Sequence, residues 1–308
     1  MTLTIRDLDP DSPEDVAGTV DVLRAAIPFM VTTAEVISWS LRNAAPAQRY
    51  RLLTAVEDGR VIGRAQTGLS HDSPKPGAAF CNVYVHPDHR GRGAGSLLVR
   101  AAEDHLREVG GTSVYSWVLD EPAYRSFAGR AGYRPLRSAH FLRLDLTAGL
   151  PPLTEPPSGV ELRTAADFAA DPRAVFALDA EVSADEPSDV GAELDDYEDW
   201  LEHIWGHPLL DREVTTIAVA GGRPVAFSAA YTDGVSQYSS AMTGTARDHR
   251  GRGLAKLVKN TALHRAREAG LTEAFTGNDA ENGPMLAINK WFGYEVAATE
   301  VHHLRELG

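Results

Sequence analysis

Two stretches of the chain alternate in the manner of paired strands. "LLTAVEDGRVIGRAQTG" and "VTTIAVAGGRPVAFSAAY" each hold two β-rich runs around a glycine-containing turn, which predicts a hairpin. A third strand follows each hairpin, over Phe80–Val85 and near Ala241–Thr245. The period then changes. Leu98, Ala101, Ala102, His105, Leu106 and Val109 recur at helical spacing, and Gly110 and Gly270 suit the ends of two matching helices. A further strand, a short helix ending at Gly132 or Gly293, and a last strand complete each series. A helical region comes first, then mostly β with helices inserted late, which predicts an α+β fold with mixed, mostly antiparallel sheets flanked by helices.

The series occurs twice because the sequence does. Shifted by 160 positions, "DHRGRGAGSLLVRAAEDHLREVG" falls on "DHRGRGLAKLVKNTALHRAREAG" with 11 of 23 positions identical, so the halves are copies of one unit. "AGYRPLRSAHFLRLDL" falls on "FGYEVAATEVHHLREL" with one residue of slippage. Between the copies, "TAGLPPLTEPPSG" carries four prolines and two glycines, a stiff linker. The expected division is residues 1–147, a linker at 148–159, and 160–308. Each half is long enough to bury its own core.

Composition narrows the classes. The single cysteine, Cys81, excludes an intrachain disulfide framework, and its setting in "AFCNVYV" reads as a small buried hydrophobe. The opening "MTLTIRDLDP" has neither the basic nor the apolar region of a secretory leader, and no apolar run reaches membrane-spanning length. A cytoplasmic protein is expected, with no membrane partner. The net charge of −13 falls in the second half, where Asp179–Glu202 holds 11 acids and no lysine or arginine. A nucleic-acid partner needs a basic face, so a cationic small molecule is the better match.

The repeated "DHRGRG" sits between a strand and a helix. First-turn amides there lack intrahelical partners, the helix dipole adds partial positive charge, and glycines let an anion approach the backbone. A Walker loop would end in Gly-Lys-Ser/Thr, and a dinucleotide loop would read Gly-x-Gly-x-x-Gly; neither copy does.

Arg90-Gly91-Arg92-Gly93-Ala94-Gly95 and Arg250-Gly251-Arg252-Gly253-Leu254-Ala255 both resemble the Arg/Gln-x-x-Gly-x-Gly/Ala signature of the GNAT N-acetyltransferases. "VYVHPDHR" is similar to that superfamily's fourth strand, and the Gly-Tyr pairs at 132–133 and 293–294 to its late Gly-Phe/Tyr. The resemblance implies two tandem GNAT domains using acetyl-coenzyme A, with the diphosphate on the turn amides. It further implies that the fourth strand splays from the fifth, freeing the amides of Val83 and Val85, and of Thr243 and Thr245, for the pantetheine arm and the thioester. The product would be an acetylated primary amine of a small molecule, formed by direct attack. A non-catalytic acyl-coenzyme A sensor and a peptide N-terminal acetyltransferase are the alternatives. A monomer with pseudo-dimeric halves, or a homodimer, is expected.

The match is incomplete. Many members place a tyrosine four residues before the late glycine; here Ala128 and Asn289 stand there. Many also have an asparagine eleven residues before that glycine that contacts the cofactor, and it survives only as Asn282, the first half having Glu121. On Asn282 and the neighbouring acids the second half is the expected catalytic one. Tyr231, Tyr238 and Tyr294 are its candidate acids; Glu181, Asp185 and Glu186 are its candidate bases. His203 and His207 have one-turn spacing but no Glu after the first and no evident third ligand, so no metal is expected. Trp200, Trp205 and Trp291 are candidates for an acceptor pocket but read rather as core, and His302 and His303 as ordinary sheet residues.

Overall fold

A computed structural model describes residues 3–185 and 194–308. By spatial contact the chain divides into two units, Met1–Ala139 with Ala298–Gly308, and His140–Ala297. The last strand of the sequence therefore belongs to the first unit.

The first unit is built from β1 (Leu3–Asp7), α1 (Pro13–Ala26), α2 (Ala34–Arg42), β2 (Arg51–Glu57), β3 (Arg60–Leu69), β4 (Ala78–Val85), α3 (Ala94–Glu108), β5 (Ser113–Leu119) and α4 (Pro122–Arg130). The strand β6 (Arg134–Asp145) begins in it. Its sheet runs β1-β2-β3-β4-β5 and then the chain's last strand, β12 (Glu295–Glu306). Only the β4–β5 pair is parallel; β12 lies antiparallel to β5 with Glu300 opposite Leu119. The period-3.6 face read from sequence is the buried one: Leu98, Ala102 and Leu106 of α3 pack on Leu53, Ile62, Ala65 and Cys81. Burial pushes the Cys81 thiol up to about 12, which suits a packing residue and not a nucleophile. On the other face, α1 and α2 cover Leu8, Leu52 and Tyr84. Helix α1 starts cleanly because Ser12 Oγ accepts the Asp15 amide at 3.3 Å, and Pro13 occupies its first turn.

The second unit comprises β7 (Val160–Thr164), α5 (Arg173–Ser183), α6 (Tyr197–Trp200), β8 (Thr216–Ala220), β9 (Arg223–Thr232), β10 (Gln237–Thr245), α7 (Leu254–Glu268), β11 (Glu273–Asp279) and α8 (Gly283–Phe292). Its sheet order is β6-β11-β10-β9-β8-β7, with β10–β11 the parallel pair. Helix α7 buries Leu257, Val258 and Leu263. Trp200 and Trp205 are core residues beneath α5, stacked at 5.4 Å, with Trp200 Nε1 donating to Asp179 at 2.8 Å. The proline-rich segment is pinned along α7: Asn260 Nδ2 donates to the Pro152 carbonyl at 2.9 Å, and His264 Nε2 lies 2.9 Å from that of Pro151. Those two bonds satisfy the Asn260 amide nitrogen and a His264 ring nitrogen, while Asn260 Oδ1 is buried with no partner among the described residues.

Each unit thus has the α+β architecture expected, a mixed, mostly antiparallel sheet flanked by helices. Among the described residues no helix is long and apolar enough to cross a membrane.

Candidate functional site

In the first unit, β4 and β5 pair only at Ala78–Ser113, Ala79–Val114 and Phe80–Tyr115. Beyond Phe80, β4 continues to Val85 on β3 alone, so its other edge is free. The Asn82 side chain spans the opening, its Oδ1 accepting the Trp117 amide at 2.9 Å. His86 donates its amide to the Ile62 carbonyl at 2.9 Å. The alternation of an antiparallel ladder then turns the amides of Val83 and Val85 toward the open edge.

That edge leads into the repeated turn. Gly91 and Gly93 hold φ of +78° and +93°, a region where a side chain is strained. Gly93 is the N-cap of α3 and offers no side chain to its first-turn amides, so these are left for an anion. Arg90 Nε donates to the Val85 carbonyl at 3.3 Å, and its guanidinium lies 5.0 Å over the Tyr124 ring. Arg92 is turned to Glu57 at 3.1 Å. A cleft opens along this edge, lined by Tyr84, Arg90, Trp117, Tyr124 and Phe127 among others. Ala128 is buried in the core beneath it. Tyr124 was not singled out in the sequence; it sits one helical turn before Ala128, a spacing that could have found it.

The second unit repeats the plan with differences. Strands β10 and β11 pair from Gln237–Glu273 to Ser240–Thr276 and then part. A bulge interrupts β10 between Ser240 and Met242. The Ala246 amide bonds to Val225 at 2.9 Å, so the amides of Thr243 and Thr245 face the open edge. Gly251 and Gly253 again hold positive φ, +74° and +78°, and Arg250 Nε donates to the Thr245 carbonyl at 3.2 Å. The groove is lined by this turn with Leu254, Ala255, Asn282 and Met285.

Here α5 lies against the turn. Asp185 accepts from Arg247 at 2.8 and 2.9 Å and from Arg250 at 2.5 Å, and these two guanidiniums hold its carboxyl well below the usual range. Glu181 accepts the Arg247 amide at 2.6 Å. A Cβ at Gly244 would come within 2.1 Å of Val182, so only glycine fits where α5 crosses β10.

The structure gives the remaining candidates definite surroundings. Asn282 Oδ1 accepts the Met285 amide at 3.3 Å, capping α8 while lining the groove. Tyr238 is fully buried, its hydroxyl 3.0 Å from Ser240 Oγ. Tyr294 is buried in the same cluster, with no hydrogen-bond partner for its hydroxyl among the described residues. Burial pushes both phenols upward. Tyr231 stacks on His207 at 4.5 Å, and His203 is paired with Asp199 at 3.0 Å. Asn289 is buried; its Oδ1 accepts from Lys259 Nζ at 2.6 Å and its Nδ2 donates to Asn278. Glu186 lies outside the described residues. What sequence reading missed is the closure of the second turn by Asp185, and the charge excess there was its only signal.

The Acetyltransferase (GNAT) family matches the chain twice, over residues 20–133 and 176–294. The chain is 28% identical over 320 residues to the mycothiol acetyltransferase of Nocardiopsis dassonvillei, covering 97% of this chain and 94% of that one. It is 28% identical over 279 residues to the protein of the same name from Acidothermus cellulolyticus, covering 85% and 81%. Among solved structures, a tandem GNAT protein from the clavulanic acid biosynthesis pathway superimposes with a TM-score of 0.79 at 22% identity, covering 100% of this chain and 99% of that one. A GCN5-related N-acetyltransferase from Sphaerobacter thermophilus gives 0.72 at 21% identity, covering 99% and 95%.

Proposed function

Because the chain belongs to the GNAT acetyltransferase family, we propose that it moves the acetyl group of acetyl-coenzyme A to a primary amine of a small molecule. One observation carries the donor: in both units a parallel strand pair parts after a few residues, and the freed edge runs into a helix N-terminus capped only by a positive-φ glycine. A diphosphate suits the uncapped amides and adjacent arginines. The pantetheine arm, itself an amide chain, suits the edge bearing Val83 and Val85, or Thr243 and Thr245. Relatives named mycothiol acetyltransferase, similar over nearly the whole chain, support a small-molecule acceptor over a peptide. A single buried thiol and this donor agree with a cytoplasmic site of action.

On this reading the acceptor nitrogen, freed of one proton, attacks the thioester carbonyl. The C–N bond forms, the C–S bond breaks, and the open-edge amides polarise the carbonyl oxygen. With Ala128 and Asn289 in place of a tyrosine, the departing thiolate takes the second proton of the nitrogen through water. The test is thiol release from acetyl-coenzyme A with a panel of primary amines. Release above the amine-free rate supports the reading, and donor binding without release across the panel overturns it.

A further inference from the structure

Glu300 belongs to the last strand of the second repeat and to none of the candidate sites above, and the fold brings it to the first unit. It stands on β12 directly opposite Leu119, at the end of β5 where β4 has already parted from it. His302, two residues on and so on the same face, stacks on Trp117 at 4.3 Å and on Tyr115 at 5.3 Å. Trp117 and Leu119 both line the cleft. Leu119 and Tyr84 pack on the apolar cluster of α1 and α2, as do Phe29 and Met30 of the segment after α1. The Glu300 carboxyl is thus at the open end of the splay, close to Tyr84 and on the face away from α3.

Its surroundings are unusual for a carboxylate. It is partly buried, and no hydrogen bond ties down its oxygens among the described residues. The charged and titratable groups facing it are Tyr84 of β4, Arg137 of β6 and His302 of β12, while β5 contributes Trp117 and Leu119, which do not titrate. Burial pushes the carboxyl up to about 8, with Arg137 pulling it back. Burial and then the Glu300 charge push the Tyr84 phenol upward in turn. Aligning the two Gly-Tyr pairs places Ala139 at the matching position of the first repeat, so the carboxyl is not part of the repeated framework.

We infer that the first unit holds an acceptor pocket in which Glu300 takes a proton from the acceptor's ammonium group before that nitrogen attacks the thioester. The inference rests on the acetyl-transfer reading and adds the base and its location. The ammonium gives one proton to the Glu300 carboxylate, which passes it to solvent. The nitrogen then forms the C–N bond as the C–S bond breaks, and its second proton ends on the thiol. Glu300 has to be ionised to act, so turnover limited by it rises with pH through its own titration.

The full chain is assayed by thiol release between pH 6 and 9.5, with ethanolamine and glucosamine as probe amines; ethanolamine titrates at the top of that range, above the carboxyl's own titration. Glu300→Gln is expected to lower kcat by about 100-fold and to remove the rising limb near the carboxyl's titration. Acetyl-coenzyme A binding stays unchanged, and Glu300→Asp restores part of the rate with a displaced limb. A Glu300→Gln rate within about threefold of the parent, or an unaltered limb, overturns the inference. If the parent binds donor yet releases no thiol, the acetyl-transfer reading fails, and the pocket is decided by amine binding alone. Calorimetry should then show the probe amines binding at least about tenfold more weakly to Glu300→Gln, and equal or absent binding to the parent overturns the pocket.

Discussion

The Arg305 guanidinium donates to the Glu103 carboxylate at 2.7 Å, across 202 positions of sequence. Glu103 is buried in α3, where it also accepts from the Tyr133 hydroxyl at 3.1 Å and from Arg107 at 3.5 Å. The same Arg305 nitrogen also donates to the Ala131 carbonyl, at the end of α4. The chain's last strand is therefore locked to the helix that carries the first glycine turn. Anything that loosens β12 also loosens Glu300 and the cleft wall at Trp117 and Leu119.

Arg305→Met should destabilise the first unit by about 2–4 kcal/mol, because it leaves a buried carboxylate with only peripheral cations. Denaturant titration of the single variants and of Glu103→Gln/Arg305→Met measures the coupling. Additive single losses would show that the pair contributes no more than its separate packing.

The glycine turns carry a second prediction. Among the described residues nothing lies within 4 Å of a Cβ built at Gly93 or Gly253, so a substitution there meets backbone strain and the bound ligand but none of their atoms. Gly93→Glu and Gly253→Glu each place a carboxylate where the diphosphate is expected. Each should remove one donor site from the binding stoichiometry seen by calorimetry, while the fold survives. With Glu300 in the first unit, Gly93→Glu should abolish turnover and Gly253→Glu should spare most of it. The opposite pattern would place catalysis in the second unit, where Asn282 pointed.

A third follows from Asp185. Its carboxylate takes two of the guanidiniums that a diphosphate would use at the second turn. Asp185→Asn should tighten donor binding there, by roughly two- to fivefold at low salt and less at high salt, since exposed ion pairs are weak and screened. Binding measured on Gly93→Glu isolates that turn. Unchanged affinity at low salt would mean that Asp185 yields the arginines at no cost.

The turns were legible because their causes are local, whereas the free strand edges were implied only by the family resemblance. Glycine at positive φ, a helix start without a capping side chain, and period-2 alternation each leave a mark within a few residues. The partners of long-range groups leave none. Nothing near residue 300 shows that β12 pairs with β5, because its alternation would serve either neighbour equally. Tyr238, Tyr294 and Glu181 were chosen by residue type and segment, and only the packed structure shows two phenols enclosed in a core and a carboxylate bonded to the Arg247 amide. Asn282 was read as a cofactor contact from its spacing, and its helix-capping bond gives a structural reason for the same residue.

Lys259 supplies a prediction independent of the donor. It is wholly buried on α7, its ammonium bonded to Asn289 and 5.0 Å over the Tyr294 ring, with no carboxylate among its bonded partners. Burial pushes it down to about 7 from 10.5. Between those two values the unfolded chain holds a proton that the folded chain has released, so stability rises with pH across that window. Below it both states are protonated and the full penalty, on the order of 4 kcal/mol, applies. Lys259→Met removes the charge but leaves Asn289 Oδ1 unsatisfied, so Lys259→Met/Asn289→Leu is the cleaner variant. Its melting temperature should exceed the parent's most at pH 6–7, and the gap should close as pH approaches 10. A gap that stays constant over that range would show that Lys259 keeps its proton in the folded chain, held by Asn289 and the aromatic face.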